Sequence, residues 1–506
     1  MKITNNNHQY LLNICISSFK SDFFIKKLTI VCVRVLIMLK YRQFKNKGDD
    51  FFMAEGTKAI LGSYFHTPTY GEVTYVEDAF ILMNHQGVIE TILTPEDNDY
   101  SSRVEEYRKK DQLKELSEGQ YLLPGFVDTH IHAPQWPQAG IALDAPLNVW
   151  LDEHTFPLEA KYADVEFARE VYTDLVQQLL ARGTTTALYF GSIHKASSFE
   201  LVKISAEMGQ RALVGKVVMD DKEGNPDFYR DESTEIALRE TEEFIQEVRE
   251  YGKDVLQGVY PVVMPRFVPS CTDEALAGLG ELAKKYDTHV HTHCSEGQWE
   301  HDFVKERFGK TDTETLRDFG LFGEKSVMAH SNFINDEDAG IYVETGTAVA
   351  HCPISNVYFA NSVIPIKHLK DLNVQIGLGT DISGGFSPSL YDNIKQAVMS
   401  ARQLEEGVDT NLPQNERGVP NSRISVAEAF YLATIGGGEA LNLPIGLIEP
   451  GYTGDFQVID TAAEGHELPS FNVFNEPDYI LQRILYLSTQ ANIKEVYIQG
   501  QLVHKR

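Results

Sequence analysis

The chain has 506 residues, 42% of them hydrophobic, and carries a formal net charge of −28. A chain of this length can bury a large core and has room for one α/β barrel with appended segments. The strong acidity argues against binding to nucleic-acid phosphates, because that binding relies on Lys and Arg that displace counterions. It suits an enzyme that acts on a small neutral substrate. The five cysteines form no CxxC pair, which favours a reducing, cytoplasmic compartment over a disulfide framework.

Residues 1–52 differ from the rest of the chain. They hold nine Lys or Arg and three Asp, a net charge of +6, which leaves −34 on the remaining 454 residues. The apolar run Leu28–Leu39 has 12 residues and contains Arg34, so it is shorter than the roughly 20 residues of a membrane span. Two interpretations stay open: a targeting segment, or an extension outside the working protein with translation starting at Met53. The second is favoured, since folded-domain patterning begins directly after Met53, and no membrane partner is predicted.

Short strands punctuated by turn residues are predicted near both ends of the chain. They are Ala59–Phe65, Thr74–Asn84, Gly87–Ile92, Asp455–Ile459, Ile484–Leu487 and Val496–Leu502. Together these two groups of strands predict one small flanking β domain, built from residues 53–122 and 441–506.

The middle of the chain, residues 123–440, alternates strands with helices. One such helix spans Val165–Arg182, with Val171, Leu175 and Leu179 on one face and Gly183 at the expected stop. The eight predicted strands are one that ends at His132, followed by Thr184–Phe190, Ala212–Asp220, Tyr260–Phe267, Thr288–His293, Ser326–His330, Thr347–His351 and Val374–Thr380. Eight βα units predict a (β/α)8 TIM-like barrel, whose active site lies at the carboxyl ends of its strands.

Metal-binding residue types recur at those strand ends. His130 and His132 lie two residues apart, so strand alternation turns both imidazoles to the same face. The later strands end in or run into His293, His330, His351 and Asp381. An isolated HxH pair is more often structural than metal-binding. Several such histidines with an aspartate at one rim of one barrel indicate a divalent-metal site.

These residues lie in motifs that resemble the amidohydrolase superfamily, in particular its nucleobase deaminases with a single zinc ion. The motifs are HTHCSE (His291–Glu296), MAHSN (Met328–Asn332), HCPISN (His351–Asn356) and GLGTD (Gly377–Asp381). Further stretches resemble the guanine-deaminating members of that superfamily: PGFVDTHIHAPQ (Pro124–Gln135), RGTTTALYF (Arg182–Phe190), GQRALVGKVVMD (Gly209–Asp220), MPRF (Met264–Phe267) and GLGTDISGG (Gly377–Gly385). The resemblance runs from about Lys58 to the C-terminus. It implies a hydrolase that converts the purine base guanine and water to xanthine and ammonia.

The resemblance also implies roles for individual residues. One zinc ion per chain would be held by His130, His132, His293 and Asp381, leaving a place for a water whose pKa the metal lowers. Glu296 would act as the general acid and base that protonates the ring and helps the amine to leave. Asp381 would take the proton of the water, and His330 would orient the attacking oxygen.

A further set of residues is implied at the substrate. Gln135 and Arg266 would form hydrogen bonds with the base, and Phe267 would offer it a stacking face. The resemblance implies that three further residues face the base: His293, Glu296 and Asp381. Prolines at positions 134 and 137 flank Gln135.

Alternatives to these interpretations stay open. His289 and His291 share a strand face with His293, but they lie deeper and are interpreted as packing or hydrogen-bonding residues. Lys216 is interpreted as structural or ion-paired, not as a carbamylated bridge between two metals. The alternative functions are deamination of adenine derivatives, cytosine or a triazine and, least favoured, a non-catalytic scaffold that binds protein partners. A homodimer is implied by the resemblance alone.

Overall fold

The computed structural model describes residues 58–471 and 473–506. Within them the chain forms two sheets of eight strands each. In chain order the strands are β1 (Ala59–Thr69), β2 (Glu72–Met83), β3 (Ile89–Leu93), β4 (Leu113–Glu115), β5 (Gln120–Pro124), β6 (Phe126–His132), β7 (Thr184–Phe190), β8 (Arg211–Val218), β9 (Val259–Pro265), β10 (His289–Cys294), β11 (Ser326–His330), β12 (Ala348–His351), β13 (Gln375–Leu378), β14 (Phe456–Asp460), β15 (Ile493–Ile498) and β16 (Gln501–Lys505). The predictions for residues 1–52 lie outside the described residues.

Strands β6 to β13 form a parallel barrel in the order in which they occur in the chain. Every residue of β6, β7, β8 and β10 is buried, as expected for strands between a barrel core and a layer of helices. The barrel closes where the backbone N–H of Asp381, after β13, donates to the carbonyl of His130 in β6 at 2.8 Å. The N–H of His132 donates to the carbonyl of Ile382, also at 2.8 Å. The predicted (β/α)8 barrel is confirmed.

Helices connect the barrel strands and pack against them. The helix Val165–Leu180 starts where the Asp164 carboxylate accepts hydrogen bonds from two backbone N–H groups of its first turn, and it buries Val171, Leu175 and Leu179. The other α-helices of six or more residues are Tyr100–Lys109, Lys195–Glu207, Thr234–Gly252, Asp273–Tyr286, Gln298–Phe308, Asp312–Asp318, Asp336–Thr345, Ile366–Asp371, Leu390–Glu406, Val426–Ala433, Ile435–Ala440 and Pro477–Leu487. In the described part of the chain, none of these helices has the length and apolar character needed to cross a bilayer.

The second sheet is built from both ends of the described chain, in the order β16-β15-β14-β5-β1-β2-β3 with β4 paired to β1. The predicted strand Ile484–Leu487 is wrong, since those residues end the helix Pro477–Leu487. Its buried residues, Leu481, Ile484 and Leu485, recur three and four positions apart, which is the periodicity of a helix and not of a strand. The division of the chain into domains at residues 122 and 440 stays a prediction.

A buried ion pair joins the flanking sheet to the barrel. Arg211, at the start of β8, pairs with Asp455, which precedes β14, and both are almost fully buried. The Arg211 guanidinium also donates to the side-chain oxygen of Gln499 at 2.7 Å, and the Gln499 backbone N–H donates to Asp455 at 2.8 Å. These contacts hold the flanking sheet against the amino-terminal end of the barrel strands.

Candidate metal and active site

Five buried side chains converge at the carboxyl ends of the barrel strands: His130 and His132 on β6, His293 on β10, His330 on β11 and Asp381 just after β13. His130 Nε2 lies 3.1 Å from Asp381 Oδ1, and His132 Nε2 lies 3.1 Å from His293 Nε2. Possible ligand atoms lie within 4.8 Å of one another in two groups, His130 with His293 and His330, and His130 with His132 and Asp381. Atoms held about 2.0–2.1 Å from a tetrahedral zinc ion are roughly 3.3 Å apart, so the shortest separations suit a shared ion.

Hydrogen bonds determine which nitrogen of His130 carries the proton. His291 Nδ1 lies 2.7 Å from the carbonyl oxygen of Val327, and only a protonated nitrogen can donate there. His291 Nε2 is then an acceptor, and His130 Nδ1 donates to it at 2.7 Å. The lone pair of His130 therefore lies on Nε2, which is buried and has no hydrogen-bond partner among the described residues.

Other hydrogen-bond acceptors likewise place the ring proton of His293 and of His330 on Nδ1. His293 Nδ1 donates to the carbonyl oxygen of Arg266 at 2.6 Å. His330 Nδ1 donates to the side-chain oxygen of Asn356 at 2.8 Å, and the Asn356 amide donates in turn to Asn332 at 2.8 Å. Both imidazoles therefore keep their lone pair on Nε2, the nitrogen that faces the group of ligand atoms.

Burial keeps the central imidazoles neutral. It lowers the pKa of His130, His132 and His293 well below the ordinary value, and neighbouring imidazoles and Arg266 lower it further. Burial also lowers the pKa of His330, although the Asp381 carboxylate opposes that shift. A neutral imidazole with a free Nε2 lone pair is the form that binds a metal ion.

Glu296 lies beside this group, in the loop after β10. Its Oε1 is 3.8 Å from His330 Nε2, and its side chain keeps 16% of its surface exposed. Burial and the nearby Asp381 carboxylate raise the pKa of Glu296 to about 8, although Arg266 opposes the shift. A carboxyl group with this pKa holds a proton at neutral pH, as a general acid must.

The backbone is strained where the strands reach the site. Ser295, His330, Ser331 and Asp381 have φ angles of 47°, 69°, 54° and 47°, in the left-handed region that non-glycine residues rarely adopt. Such strain persists only where surrounding contacts hold it, and it collects at functional sites. Here it occurs where β10, β11 and β13 turn into the loops at the site.

Gln135 and Arg266 meet at a third buried residue, Glu159. Gln135 lies in the 3₁₀ turn Ala133–Gln138, which includes both prolines and buries it. Its amide nitrogen donates to Glu159 Oε1 at 2.9 Å, and its amide oxygen accepts from the Ser383 backbone N–H at 3.2 Å. Arg266 donates to Glu159 through Nη1 at 2.7 Å and through Nη2 at 3.4 Å.

Aromatic rings border the same side of the site. The half-buried Phe267 ring lies 6.5 Å from the His293 ring and 6.1 Å from the exposed ring of Trp299. The Arg266 guanidinium lies 5.1 Å from the Phe156 ring, on the short helix Phe156–Glu159 that also carries Glu159. An aromatic wall and a set of fixed polar groups are what recognition of a planar heterocycle requires.

Three residues with predicted roles away from the metal are placed as expected. His289 bonds through Nε2 to the Leu441 carbonyl oxygen at 2.9 Å, and His291 bonds as described above, so their hydrogen-bonding roles are confirmed. Lys216 forms a buried ion pair with Asp231, which confirms the predicted ion pairing. His351 is buried and belongs to neither group of possible ligand atoms.

Sequence reasoning missed Glu159 and Asp128. Asp128 accepts hydrogen bonds from the Thr380 hydroxyl at 2.6 Å and the Thr380 N–H at 3.0 Å, and thereby ties β6 to the loop after β13. Burial raises the pKa of Asp128 to about 7. The signal for Asp128 was present, as a carboxylate in a predicted barrel strand two residues before His130. No sequence pattern indicated Glu159, because it follows a loop in which the apolar residues show neither helix nor strand periodicity.

Comparisons with known proteins agree with this geometry. The profile described as "Amidohydrolase family" matches residues 121–503. The chain is 36% identical over 452 residues to the guanine deaminase of Mus musculus, covering 87% of this chain and 95% of the mouse protein. It is 32% identical over 442 residues to the guanine deaminase of Escherichia coli (strain K12), covering 85% and 92%. A solved guanine deaminase from C. acetobutylicum, with guanine bound in its active site, superposes with a TM-score of 0.77 at 30% identity, covering 88% of this chain and 100% of that one. This chain belongs to the amidohydrolase family.

Proposed function

We propose that this enzyme deaminates guanine hydrolytically, giving xanthine and ammonia. The observation that carries the proposal is the convergence of four imidazoles and the Asp381 carboxylate at one end of the barrel, with the Glu296 carboxyl group beside them. The similarity to guanine deaminases over most of the chain supports guanine as the substrate. The chemistry is the replacement of an exocyclic amine on a purine ring by the oxygen of water.

One zinc ion per chain is part of the proposal, held by His130, His132, His293 and Asp381. The donor set fits, because neutral imidazole nitrogens and one carboxylate are the ligands of catalytic zinc. The buried, unpartnered Nε2 of His130 supports the fit, since a buried acceptor without a partner is costly unless an ion binds it. A bound zinc ion supplies a water of lowered pKa and so a nucleophile near neutral pH.

The protein's own groups carry the protons. Asp381 accepts a proton as the water oxygen bonds to the ring carbon, and His330 Nε2 orients that oxygen because its lone pair faces the site. Glu296 starts protonated, so it gives its proton to the ring. The bond from carbon to the exocyclic nitrogen then breaks as Asp381 returns its proton to the amine, which leaves as ammonia. The hydroxyl left on the ring carbon gives its proton to Glu296 and becomes the new carbonyl, so both carboxyl groups return to their starting states.

Gln135, Arg266 and Phe267 are proposed to bind the base. The Arg266 guanidinium has donors only, which suits the carbonyl oxygen and ring nitrogen acceptors of guanine. Phe267 lies at the rim beside His293, where a purine ring can stack on it. The backbone carbonyl of Arg266 holds His293, so the same residue links the base to the proposed metal site.

A substrate panel tests the function. Purified protein loaded with zinc is incubated with guanine, adenine, cytosine and a triazine, and released ammonia is measured. We expect release from guanine, and a loss of about 100-fold or more in kcat for Glu296→Gln, because general acid–base catalysis contributes about 10²–10⁴. Glu306→Gln, at an exposed position on the following helix Gln298–Phe308, is the matched control. Release from cytosine but not from guanine would contradict the proposal, and full activity in E296Q would remove Glu296 from it.

A cytoplasmic homodimer without nucleic-acid or membrane partners completes the proposal. The dimer rests on family resemblance, and the compartment on the cysteines Cys271, Cys294 and Cys352, which are free and buried. Sedimentation equilibrium on the purified chain is expected to give twice the chain mass of 57.0 kDa. A concentration-independent mass of one chain would exclude the dimer.

A further inference from the structure

The buried carboxylate of Glu159 lies between Gln135 and Arg266, the two polar residues proposed to bind the base. Glu159 is 1% exposed, and neither sequence motif nor proposed chemistry gives it a role. It accepts hydrogen bonds from Gln135 at 2.9 Å and from Arg266 at 2.7 and 3.4 Å. It thus joins the loop after β6 to the end of β9, which are far apart in the sequence.

These contacts remove the freedom of the Gln135 amide. A glutamine amide offers a donor at one end and an acceptor at the other, and either end can face a ligand. Here the nitrogen faces the Glu159 carboxylate and the oxygen faces the backbone N–H of Ser383. A flipped amide would place oxygen against carboxylate and N–H against N–H, so the observed orientation is the only one with both ends satisfied.

The same carboxylate orients Arg266. It engages Nη1 and Nη2 on one edge of the guanidinium, and the Phe156 ring lies 5.1 Å from its centre. The remaining N–H groups of the guanidinium are thereby fixed in direction. Because the Glu159 charge also balances that of Arg266, the pocket presents donors to the base without an uncompensated buried charge.

We propose that Glu159 is a positioning residue for substrate selection: it fixes the orientation of the Gln135 amide and holds Arg266 as a hydrogen-bond donor, so that the pocket accepts a purine with a carbonyl oxygen at the six position. A purine with an amine there would set donor against donor, and one with neither group would leave the donors unpaired. This inference rests on the proposed function, since it concerns recognition of the same base.

Glu159→Gln tests the inference, because it keeps the shape of the side chain and removes its charge. We expect KM for guanine to rise about tenfold, the equivalent of one hydrogen bond to a charged group, while kcat changes less than about threefold. The Ki of 2-aminopurine, which lacks the six-position oxygen, is expected to change less than about threefold. Glu159→Asp, which keeps the carboxylate, is expected to recover part of the loss in KM.

The control is Glu200→Gln, since Glu200 is equally buried and paired with Arg169, on helices outside the site. Zinc content and melting temperature are measured for every variant. An unchanged KM in E159Q, or a Ki for 2-aminopurine that rises as much as KM for guanine, would overturn the inference. If the wild-type protein releases no ammonia from guanine, the proposed function fails; if it does and E159Q behaves like E200Q, only the role of Glu159 fails.

A second comparison covers the case in which E159Q does not fold. R266Q and the double variant E159Q/R266Q avoid leaving the arginine buried without its partner. If Glu159 acts mainly through Arg266, the double variant adds less than about threefold to the KM of R266Q. An added tenfold loss would show that Glu159 acts independently of Arg266 and would overturn the part of the inference that concerns Arg266.

Discussion

The position of single protons decides what the central histidines can bind. His130 has no backbone carbonyl as its acceptor and uses His291 instead, which is held in turn by the Val327 carbonyl. His293 reaches a carbonyl directly, and His330 uses the Asn356 amide. In each case an acceptor outside the group takes the Nδ1 proton and leaves Nε2 free for a metal ion.

His291→Leu tests this arrangement at the level of one residue. Leucine cannot accept the His130 proton, so we expect zinc affinity to fall about 10–100-fold, as for other groups that orient a metal ligand. His291→Gln offers an acceptor oxygen and should lose less. Zinc retention is measured by competition with a chelator, together with the melting temperature.

His289→Leu is the matched control for this experiment. His289 is buried on the same strand, but its partner is the Leu441 carbonyl and not a residue of the site. Equal zinc loss in H289L and H291L would mean that any buried substitution in β10 disturbs the site, and the specific role of His291 would then be rejected.

Some residues of the site could be predicted from the sequence, and others could not. His130, His132, His293, His330 and Asp381 could be brought together from the strand count alone, because carboxyl ends of barrel strands share one rim. Glu159 could not, since its short helix Phe156–Glu159 sits in a long connection with no periodic pattern. The proton on His130 could not either, because it depends on a contact between β6 and β10 that only the folded chain makes.

At the scale of elements, periodicity predicted long segments better than short ones. The helix Val165–Leu180 repeats its buried face over four turns, so its pattern admits one interpretation. Ile484–Leu487 is a four-residue apolar run at the end of a helix, and so short a run fits a strand equally well. The barrel strands were found because short strands alternate regularly with helices along the middle of the chain.

β1 predicts an effect of pH on stability. His66 in this strand is 3% exposed, and burial lowers its pKa from 6.5 to about 4. Between these values the unfolded chain takes up a proton that the folded chain does not, so stability is lost as the pH falls from about 6.5 to 4. From pH 7 to pH 5 this single group should lower the free energy of unfolding by about 2 kcal/mol.

Urea unfolding at pH 7 and pH 5 measures this effect as a difference between variants. His66→Gln should lose about 2 kcal/mol less than the wild type on acidification, whatever its stability at pH 7. His85→Gln, at an exposed turn after β2, is the control. An equal loss in wild type and H66Q would show that His66 is protonated in the folded state as well.

On the scale of the whole molecule, the barrel and the flanking sheet are joined by the Arg211–Asp455 pair. The pair lies between the start of β8 and the entry to β14, and Gln499 in the turn between β15 and β16 bonds to both partners. Removing one member of such a pair leaves a buried charge, whereas replacing both with apolar residues often costs little. We therefore expect the pair to couple the unfolding of the two sheets.

Asp455→Ala should lower the free energy of unfolding by about 3–5 kcal/mol, because Arg211 keeps its charge without the carboxylate. The double variant R211M/D455L should recover most of that loss. Both are measured by urea unfolding followed by circular dichroism. Glu250→Gln, which breaks the exposed pair with Lys253, serves as the control and should leave the midpoint unchanged. A loss in the double variant as large as in D455A would contradict this account.

The closure of the barrel between β6 and the loop after β13 affects when the metal site can form during synthesis. On the proposed ligand set, two histidines come from the first barrel strand, and the carboxylate follows the last. During synthesis the ribosome releases His130 and His132 long before Asp381, so a nascent chain cannot complete the site until its eighth barrel strand has emerged. Binding of the metal by all four proposed ligands therefore requires a chain in which residue 381 has left the ribosome and the loop after β13 has joined β6. A chain truncated before Asp381 would keep three of the four proposed ligands and would still lack a complete metal site.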